Sequence, residues 1–128
     1  MRSAPPATLS VLIVDDHHGF RLLARSLLLK DRRFEVTAEA VDGEEAVDVA
    51  REQRPDVVLL DVQLPGMDGF EVAEQLADMP EPPSVVMTSM RSPLELEARL
   101  TAAPIAGFVP KQELSGAAVA AVLDGGEN

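Results

Sequence analysis

The feature that most restricts the fold of this chain is a regular alternation of two apolar patterns. Short runs rich in Val, Leu and Ile predict buried strands, and segments with apolar residues three or four positions apart predict helices. The alternation occurs five times within the 128 residues. The predicted strands lie in 9–16, 34–40, 56–61, 81–89 (after a proline-rich loop) and 107–111, and the predicted helices in 18–30, 42–53, 69–78, 92–102 and 115–126.

Three of the predicted helices carry further local signals. The fourth begins with Ser92 and Pro93 followed by Glu95, a combination that predicts a capping box. The last is short and weakly amphipathic, with Gly116 at its start. The first has an apolar face at helical spacing, which predicts its buried residues: Phe20, Leu23, Ala24, Leu27 and Leu28.

Strands that alternate with crossover helices form a parallel sheet with helices on both faces. The sequence therefore predicts one doubly wound α/β domain over residues 9–124, with tails at 1–8 and 125–128. The apolar fraction of 46% is enough for one core, and with only 3% aromatic residues that core must be aliphatic. Sites in such sheets form beyond the carboxyl ends of the strands, where the winding reverses.

Composition and charge argue against several classes of protein. The absence of cysteine excludes a disulfide scaffold and agrees with a reducing, cytoplasmic location. No apolar run reaches the roughly 18 residues of a membrane span, and the first ten residues lack the apolar region of a secretory signal. The formal net charge of −11 argues against direct nucleic-acid binding, because phosphates would be repelled.

Polar side chains stand at the carboxyl ends of four predicted strands. The first strand ends in Asp15 and Asp16, the third in Asp61, the fourth at Thr88 and the fifth at Lys111. Adjacent strands lie about 4.8 Å apart, so the acids would be neighbours if the winding reverses between strands one and three. Three close carboxylates repel one another, and a Mg²⁺ ion with oxygen ligands would relieve that repulsion.

The other two side chains suit a phosphoryl group. The Lys111 ammonium would offset its charge and the Thr88 hydroxyl would donate a hydrogen bond to it. Asp61, at the tip of its strand, would attack phosphorus as a carboxylate nucleophile. The pattern thus favours Mg²⁺-dependent transfer of a phosphoryl group to an aspartate.

Four segments resemble the receiver domain of two-component response regulators: VLIVDDHHGFRLLARSLL, DVVLLDVQLPGMDGFEVA, VVMTS and GFVPK. The resemblance covers roughly residues 9–124 and leans toward receivers with a helix-turn-helix output. It implies a flavodoxin-like (βα)5 fold with a five-stranded sheet in the order 2-1-3-4-5. It also implies a phosphorelay switch that catalyses only its own phosphorylation and dephosphorylation.

The resemblance implies a role for each acid. Asp61 would be the phosphoacceptor, supplied by a sensor histidine kinase or a small phosphodonor. Asp16 would bind Mg²⁺ directly and Asp15 partly through water. Asp61 and the backbone carbonyl of Gln63 would complete the protein ligands.

The resemblance also implies the parts of a switch. Thr88 would move toward the phosphoryl group, Lys111 would pair with a phosphoryl oxygen, and Phe108 would turn inward as Thr88 moves. Pro65 and Gly66 would form a tight turn in the loop after the acceptor.

Taken singly, these residues have plainer explanations. Asp15 and Asp16 could cap the first helix, Thr88 could be an ordinary strand residue, Lys111 a solvated lysine and Phe108 a core residue. Their joint placement at matching strand ends favours the site.

His17 and His18 raise the question of a transition metal. Adjacent helical residues point in different directions and cannot chelate one ion together. We expect both to be exposed in the first turn, with one of them able to lie near the phosphorylation site.

Two features depart from the usual receiver pattern. The connection between Thr88 and Lys111 is slightly long and contains Pro104, and the last helix is short. Receivers commonly signal through helix four, strand five and helix five, so these departures leave the mode of dimerisation open.

A second hypothesis is a protein-interaction module with a receiver fold that works without phosphorylation. The complete set of acids and Lys111 argues against it, and the unusual fourth helix argues for it. A hydrolytic phosphatase is a more distant alternative, because Gln63 stands where it would need a second acid.

Gln63 and Met90 flank the site and would control the access of water to a phosphoryl group. The expected partners are a sensor kinase and either a downstream protein or an output domain outside these residues.

Overall fold

The apolar runs form five strands in the computed structural model, which describes residues 8–125. All neighbouring strands are parallel, and their order is β2-β1-β3-β4-β5, as predicted. Most of both predicted tails, 1–8 and 125–128, lies outside the described residues. The strands are β1 Leu9–Val14, β2 Phe34–Ala40, β3 Val57–Asp61, β4 Ser84–Ser89 and β5 Gly107–Pro110.

Five α-helices connect and follow the strands, as the alternation predicts. Strand β5 ends one residue earlier than expected, and Lys111 opens a short 3₁₀ turn, Lys111–Glu113. The helices are α1 His18–Leu29, α2 Gly43–Gln53, α3 Gly69–Ala77, α4 Pro93–Ala102 and α5 Gly116–Leu123.

The core has two layers, one on each face of the sheet. Leu12 and Leu60 pack against α2, α3 and α4, while Ile13 and Leu59 pack against α1 and α5. Successive strand residues point to opposite faces, and both faces are covered, so the central strands are apolar at nearly every position. The sheet thus fixes the positions of its carboxyl ends.

The buried face of α1 is narrower in the structure than the sequence predicts. Ala24 and Leu28 are buried and Phe20 and Leu27 half-buried, but Leu23 is 50% exposed. Positions 20, 24, 27 and 28 form one stripe on a helix, and Leu23 lies at its edge, beyond reach of the sheet.

The start of α4 also differs from the prediction. Ser92 is the N-cap, but its hydroxyl accepts a hydrogen bond from the Leu94 N–H, and the Glu95 carboxylate faces Arg91 at 3.6 Å. The capping box lies instead at α3, between Asp68 and Glu71. Glu95 pairs with a nearby cation rather than with the backbone, which accounts for the error.

Pro104 sets the end of α4 and the start of its connection to β5. The helix ends at Ala102, because the residue before a proline is disfavoured in the α conformation. The chain then joins the sheet through the N–H of Ala106, which donates to the Val85 carbonyl at 2.8 Å.

Candidate functional site

The fold brings the predicted acids together at the carboxyl edge of the sheet. Strands β1 and β3 are neighbours with Val14 opposite Leu60, so Asp15 and Asp61 follow at the same level. Ligand atoms of Asp15, Asp16, His17 and Asp61 all lie within 4.8 Å of one another. Asp15 and Asp61 are buried, whereas the Asp16 side chain is 38% exposed and forms the open side of the cluster.

Lys111 reaches this cluster from the turn after β5. Its Nζ atom lies 2.7 Å from Oδ2 of Asp15 and 3.3 Å from Oδ2 of Asp61. The ammonium also lies 4.4 Å from the centroid of the Phe20 ring, a cation–π contact with α1. Lys111 is therefore a buried cation shared by two acids, and not the solvated lysine of the plainer explanation.

Asp61 is held in an environment that opposes its ionisation. Burial raises the pKa of Asp61 to about 6, and the negative charge of Asp15 adds to the effect. The Lys111 ammonium and the Gln63 N–H, which donates to Oδ1 at 3.2 Å, act in the opposite direction. Positive charge added beside Asp61 would favour its carboxylate form.

Thr88 lies directly beside Asp61 in the β3–β4 register. Its carbonyl accepts a hydrogen bond from the Val62 N–H at 3.0 Å, which fixes the backbone after the acid. The Thr88 hydroxyl is buried and has no hydrogen-bond partner among the described residues. A buried hydroxyl without a partner is costly, so this group is available to a ligand at the site.

The remaining predicted residues surround these groups. Phe108 lies on β5 opposite Met87, half-buried against the core layer of α2, α3 and α4. Gln63 and Met90 are exposed, two residues after Asp61 and Thr88 respectively.

The loop after Asp61 turns back tightly against the acid. Gly66 has a φ of +78°, which supports the predicted turn with Pro65. The chain then returns to Gly69, whose N–H donates to the Val62 carbonyl at 2.8 Å. A Cβ atom on Gly69 would overlap the Asp61 carbonyl oxygen and lie 2.9 Å from Cα of Val62, so only glycine fits beneath the acid.

An arginine that the sequence analysis missed connects Asp15 to strand β2. Nη1 of Arg21 donates to the Asp15 carbonyl at 2.8 Å, and its Nε donates to Glu39 at 2.9 Å. Glu39 also accepts from Arg25, and these two arginines lower the pKa of Glu39. Glu39 lies on β2, far from Arg21 in sequence, so no local motif connects the pair.

The residues present fit a divalent cation that prefers oxygen ligands. Three carboxylates converge, one at the solvent-exposed side. A metal ion would offset their mutual repulsion, which adds to the effect of burial in raising the pKa of Asp61. The cluster could hold such an ion, with Asp15, Asp16 and Asp61 as its side-chain ligands.

This fold and this edge of the sheet identify the chain's family. A model of the response regulator receiver domain matches residues 11–123. The chain therefore belongs to the response regulator receiver domains of two-component systems, in agreement with the resemblance of its motifs.

Individual proteins show the same likeness. The chain is 35% identical over 86 residues to sporulation initiation phosphotransferase F of Bacillus subtilis, covering 67% of this chain and 68% of that one. It is 39% identical over 107 residues to protein-glutamate methylesterase/protein-glutamine glutaminase 2 of Nitratidesulfovibrio vulgaris, covering 81% and 29%. A LuxR-family two-component response regulator from Aurantimonas superposes with a TM-score of 0.83 at 29% identity, over 93% of this chain and 87% of that chain.

Some relatives are considerably longer than this chain. A protein of Pseudomonas aeruginosa is 39% identical over 103 residues, which are 80% of this chain and 49% of that protein. The chain thus spans about half the length of that relative. Within residues 8–125, no helix is long and apolar enough to cross a membrane.

Proposed function

We propose that this receiver domain accepts a phosphoryl group on Asp61 from a sensor histidine kinase, with Mg²⁺, and changes conformation in response. One observation carries the proposal. Asp61 is a buried carboxylate 3.3 Å from a buried ammonium and beside a second acid, at the edge where the sheet opens. A purely structural acid would gain nothing from a like charge placed so close.

Asp15, Asp16 and Asp61 would hold the Mg²⁺ ion, together with the backbone carbonyl of Gln63. When bound, the ion would offset the negative charge of the incoming phosphoryl group. It would also favour the ionised form of Asp61, which is the nucleophilic form. The N–H of Gln63 orients that carboxylate through Oδ1.

Phosphorylation would then be a direct displacement. An Asp61 carboxylate oxygen forms a bond to phosphorus as the bond from phosphorus to the histidine nitrogen breaks, and the electron pair leaves with the imidazole. Lys111 is placed to move its ammonium from the two acids to a phosphoryl oxygen. The phosphoryl group would later be lost by slow hydrolysis of the acyl phosphate, which is self-dephosphorylation. Gln63 and Met90 would limit the access of water to it.

The switch would begin at Thr88. Its hydroxyl has no hydrogen-bond partner within residues 8–125, lies beside Asp61 and would donate a hydrogen bond to a phosphoryl oxygen. Phe108, on the next strand, would pack more deeply as Thr88 moves. Because only the phosphorylated form makes these contacts, phosphorylation would shift the population between two conformations.

The output of the switch would be a change in partner binding. The longer relative from Pseudomonas aeruginosa and the LuxR-family neighbour suggest either an output domain attached to such a receiver or a separate downstream protein. We place the domain in the cytoplasm, where its kinase would present phosphohistidine. Contact with nucleic acid would be made by the output partner, since this chain carries a formal charge of −11.

Intact-mass spectrometry after incubation with acetyl phosphate tests the proposal. We expect one phosphoryl adduct that requires Mg²⁺, disappears in Asp61→Asn and persists in Asp48→Asn, an exposed acid on α2. Beryllofluoride, which mimics the phosphoryl group, should shift the NMR resonances of Thr88 and Lys111. If neither reagent acts on the wild-type protein, the chain is a phosphorylation-independent interaction module with a receiver fold.

A further inference from the structure

His17 occupies the open side of the acidic cluster, where the receiver chemistry gives it no task. Its Nδ1 atom lies 3.2 Å from Oδ1 of Asp15 and 3.1 Å from Oδ1 of Asp16. The side chain is 71% exposed, so solvent and ions reach the imidazole freely. The backbone N–H of His17 also donates to Oδ1 of Asp15 at 2.8 Å, which holds the residue over the acids.

These spacings match the edges of a metal coordination shell. Ligand atoms about 2.1 Å from an octahedral ion lie about 3.0 Å apart along each edge. Nδ1 lies close to this separation from each of the two carboxylate oxygens, and ligand atoms of the three acids and His17 all lie within 4.8 Å of one another. One ion could therefore contact the nitrogen and the carboxylates with little movement of side chains.

A role in capping does not explain this position. His17 is the N-cap residue of α1, but its side chain makes no capping hydrogen bond to the helix. His18, the next residue, points elsewhere, with its Nδ1 3.4 Å from Nη2 of Arg21. The sequence analysis expected that the two histidines would not bind one ion together, and their different contacts agree with this. Only His17 lies beside the acids.

A second observation indicates that the site is built for a ligand. The Thr88 hydroxyl is buried beside Asp61 and lacks a partner among residues 8–125. Carboxylates, an imidazole and an unpartnered hydroxyl converge here, so the pocket offers nitrogen as well as oxygen to whatever binds. Mg²⁺ has little affinity for nitrogen, whereas imidazole suits Co²⁺, Ni²⁺ and Zn²⁺.

We propose that Nδ1 of His17 is a metal ligand, which increases the preference of this pocket for borderline transition ions over Mg²⁺. The inference rests on the proposed metal site and adds a nitrogen donor to it. Transition ions would occupy the same carboxylates as Mg²⁺ and compete with it. The class of divalent ion in the pocket would then be set by His17 and by the ions available.

The test uses the complete 128-residue chain without a histidine tag and compares wild type, His17→Ala and His18→Ala. Calorimetric titrations with Co²⁺ and with Mg²⁺ give the two affinities. We expect His17→Ala to weaken Co²⁺ binding by about tenfold or more while Mg²⁺ binding changes by less than about twofold. His18→Ala should change neither, because its side chain lies outside the cluster.

Proton NMR of the Co²⁺ complex reports the ligand directly. A coordinated imidazole should give a paramagnetically shifted ring C–H resonance, present in wild type and His18→Ala and absent in His17→Ala. Retention of that resonance in His17→Ala, or equal Co²⁺ affinity in wild type and His17→Ala, would overturn the inference. That result would leave the proposed function intact, provided that the wild-type protein binds Mg²⁺ and forms the Mg²⁺-dependent adduct on Asp61. If the wild-type protein does neither, the proposed function itself is wrong.

Discussion

The ammonium nitrogen of Lys111 lies 2.7 Å from Oδ2 of Asp15, and the two side chains are only 8% and 1% exposed. A buried ion pair stabilises a fold weakly in net terms, but removal of one partner leaves the other charge buried and uncompensated. The lysine supports two acids, because Asp61 lies 3.3 Å from the same nitrogen. It is the cation that makes this arrangement of acids compatible with folding.

Lys111→Met should therefore destabilise the metal-free domain. We expect the free energy of unfolding to fall by about 3–5 kcal/mol at neutral pH, the usual cost of breaking a buried pair. Circular dichroism at 222 nm during urea unfolding measures the effect, since the chain has neither Trp nor Tyr.

Lys30→Met is the matched control for this experiment. Lys30 is exposed at the end of α1, and its replacement should change stability by less than about 0.5 kcal/mol. Equal losses in the two variants would show that the buried ion pair contributes nothing specific.

Asp61→Asn should stabilise the metal-free domain in a pH-dependent way. The pKa of Asp61 is raised from 3.8 to about 6, so between these values the folded protein binds more protons than the unfolded chain. Stability contributed by the protonated acid is then lost as the pH rises through about 6. At pH 7.5 the neutral Asn should gain about 2–3 kcal/mol over Asp, and near pH 4 little. Urea unfolding of both proteins at several pH values, with EDTA present, measures the difference; a gain that grows toward acid pH would contradict the raised pKa.

Gly69→Ala should disturb both the fold and the acceptor. The new Cβ would meet the backbone of Asp61 and Val62, which cannot move without displacing β3. We expect a loss of at least about 2 kcal/mol in the free energy of unfolding, together with NMR shifts at Asp61.

The control for that glycine lies in α1. Gly19 is exposed, and nothing lies within 4 Å of the position its Cβ would occupy. Gly19→Ala should stabilise the domain by about 0.5–1 kcal/mol, because alanine favours the helix. A similar loss in both variants would point to helix geometry rather than to the close approach beneath Asp61.

The alternation of apolar patterns was sufficient to predict the five strands, because β3 and β4 are buried on both faces and the partly exposed edge strand β2 keeps an alternating pattern. The order of the strands was implied by the resemblance. The acids at the ends of β1 and β3 could be placed because register in a parallel sheet carries strand ends to one edge. The sequence placed Lys111 at the same edge but did not predict its burial, because a single lysine after a strand is normally solvated.

Features that depend on tertiary contacts could not be predicted in this way. Leu23 satisfies helical spacing as well as Leu27 does, and only the position of the sheet decides which of them is buried. Glu95 fits the capping pattern as well as Glu71 does, but Arg91 competes for it. The link between Arg21 and Glu39 joins α1 to β2 and leaves no local trace in the sequence.

That link gives the last prediction, a comparison of two arginines that share one acid. Arg21 and Arg25 both pair with Glu39, but the Arg21 side chain is only 12% exposed and also donates to the Asp15 carbonyl, whereas that of Arg25 is 44% exposed. Arg21→Gln should cost about 1.5–3 kcal/mol, since it removes charged hydrogen bonds from a mostly buried site. Arg25→Gln should cost less than about 1 kcal/mol, as for other exposed pairs.

The same two variants distinguish two ways in which Arg21 could affect the site: the hydrogen bond to the Asp15 backbone and its positive charge. Of these two arginines, only Arg21 donates to the carbonyl of Asp15. Arg21→Gln should therefore also weaken Mg²⁺ binding, measured by calorimetry, while Arg25→Gln leaves it unchanged. Both variants lose one positive charge, so their effects on the overall field are alike. If the two variants weaken Mg²⁺ binding equally, Arg21 acts through its charge alone and does not position Asp15.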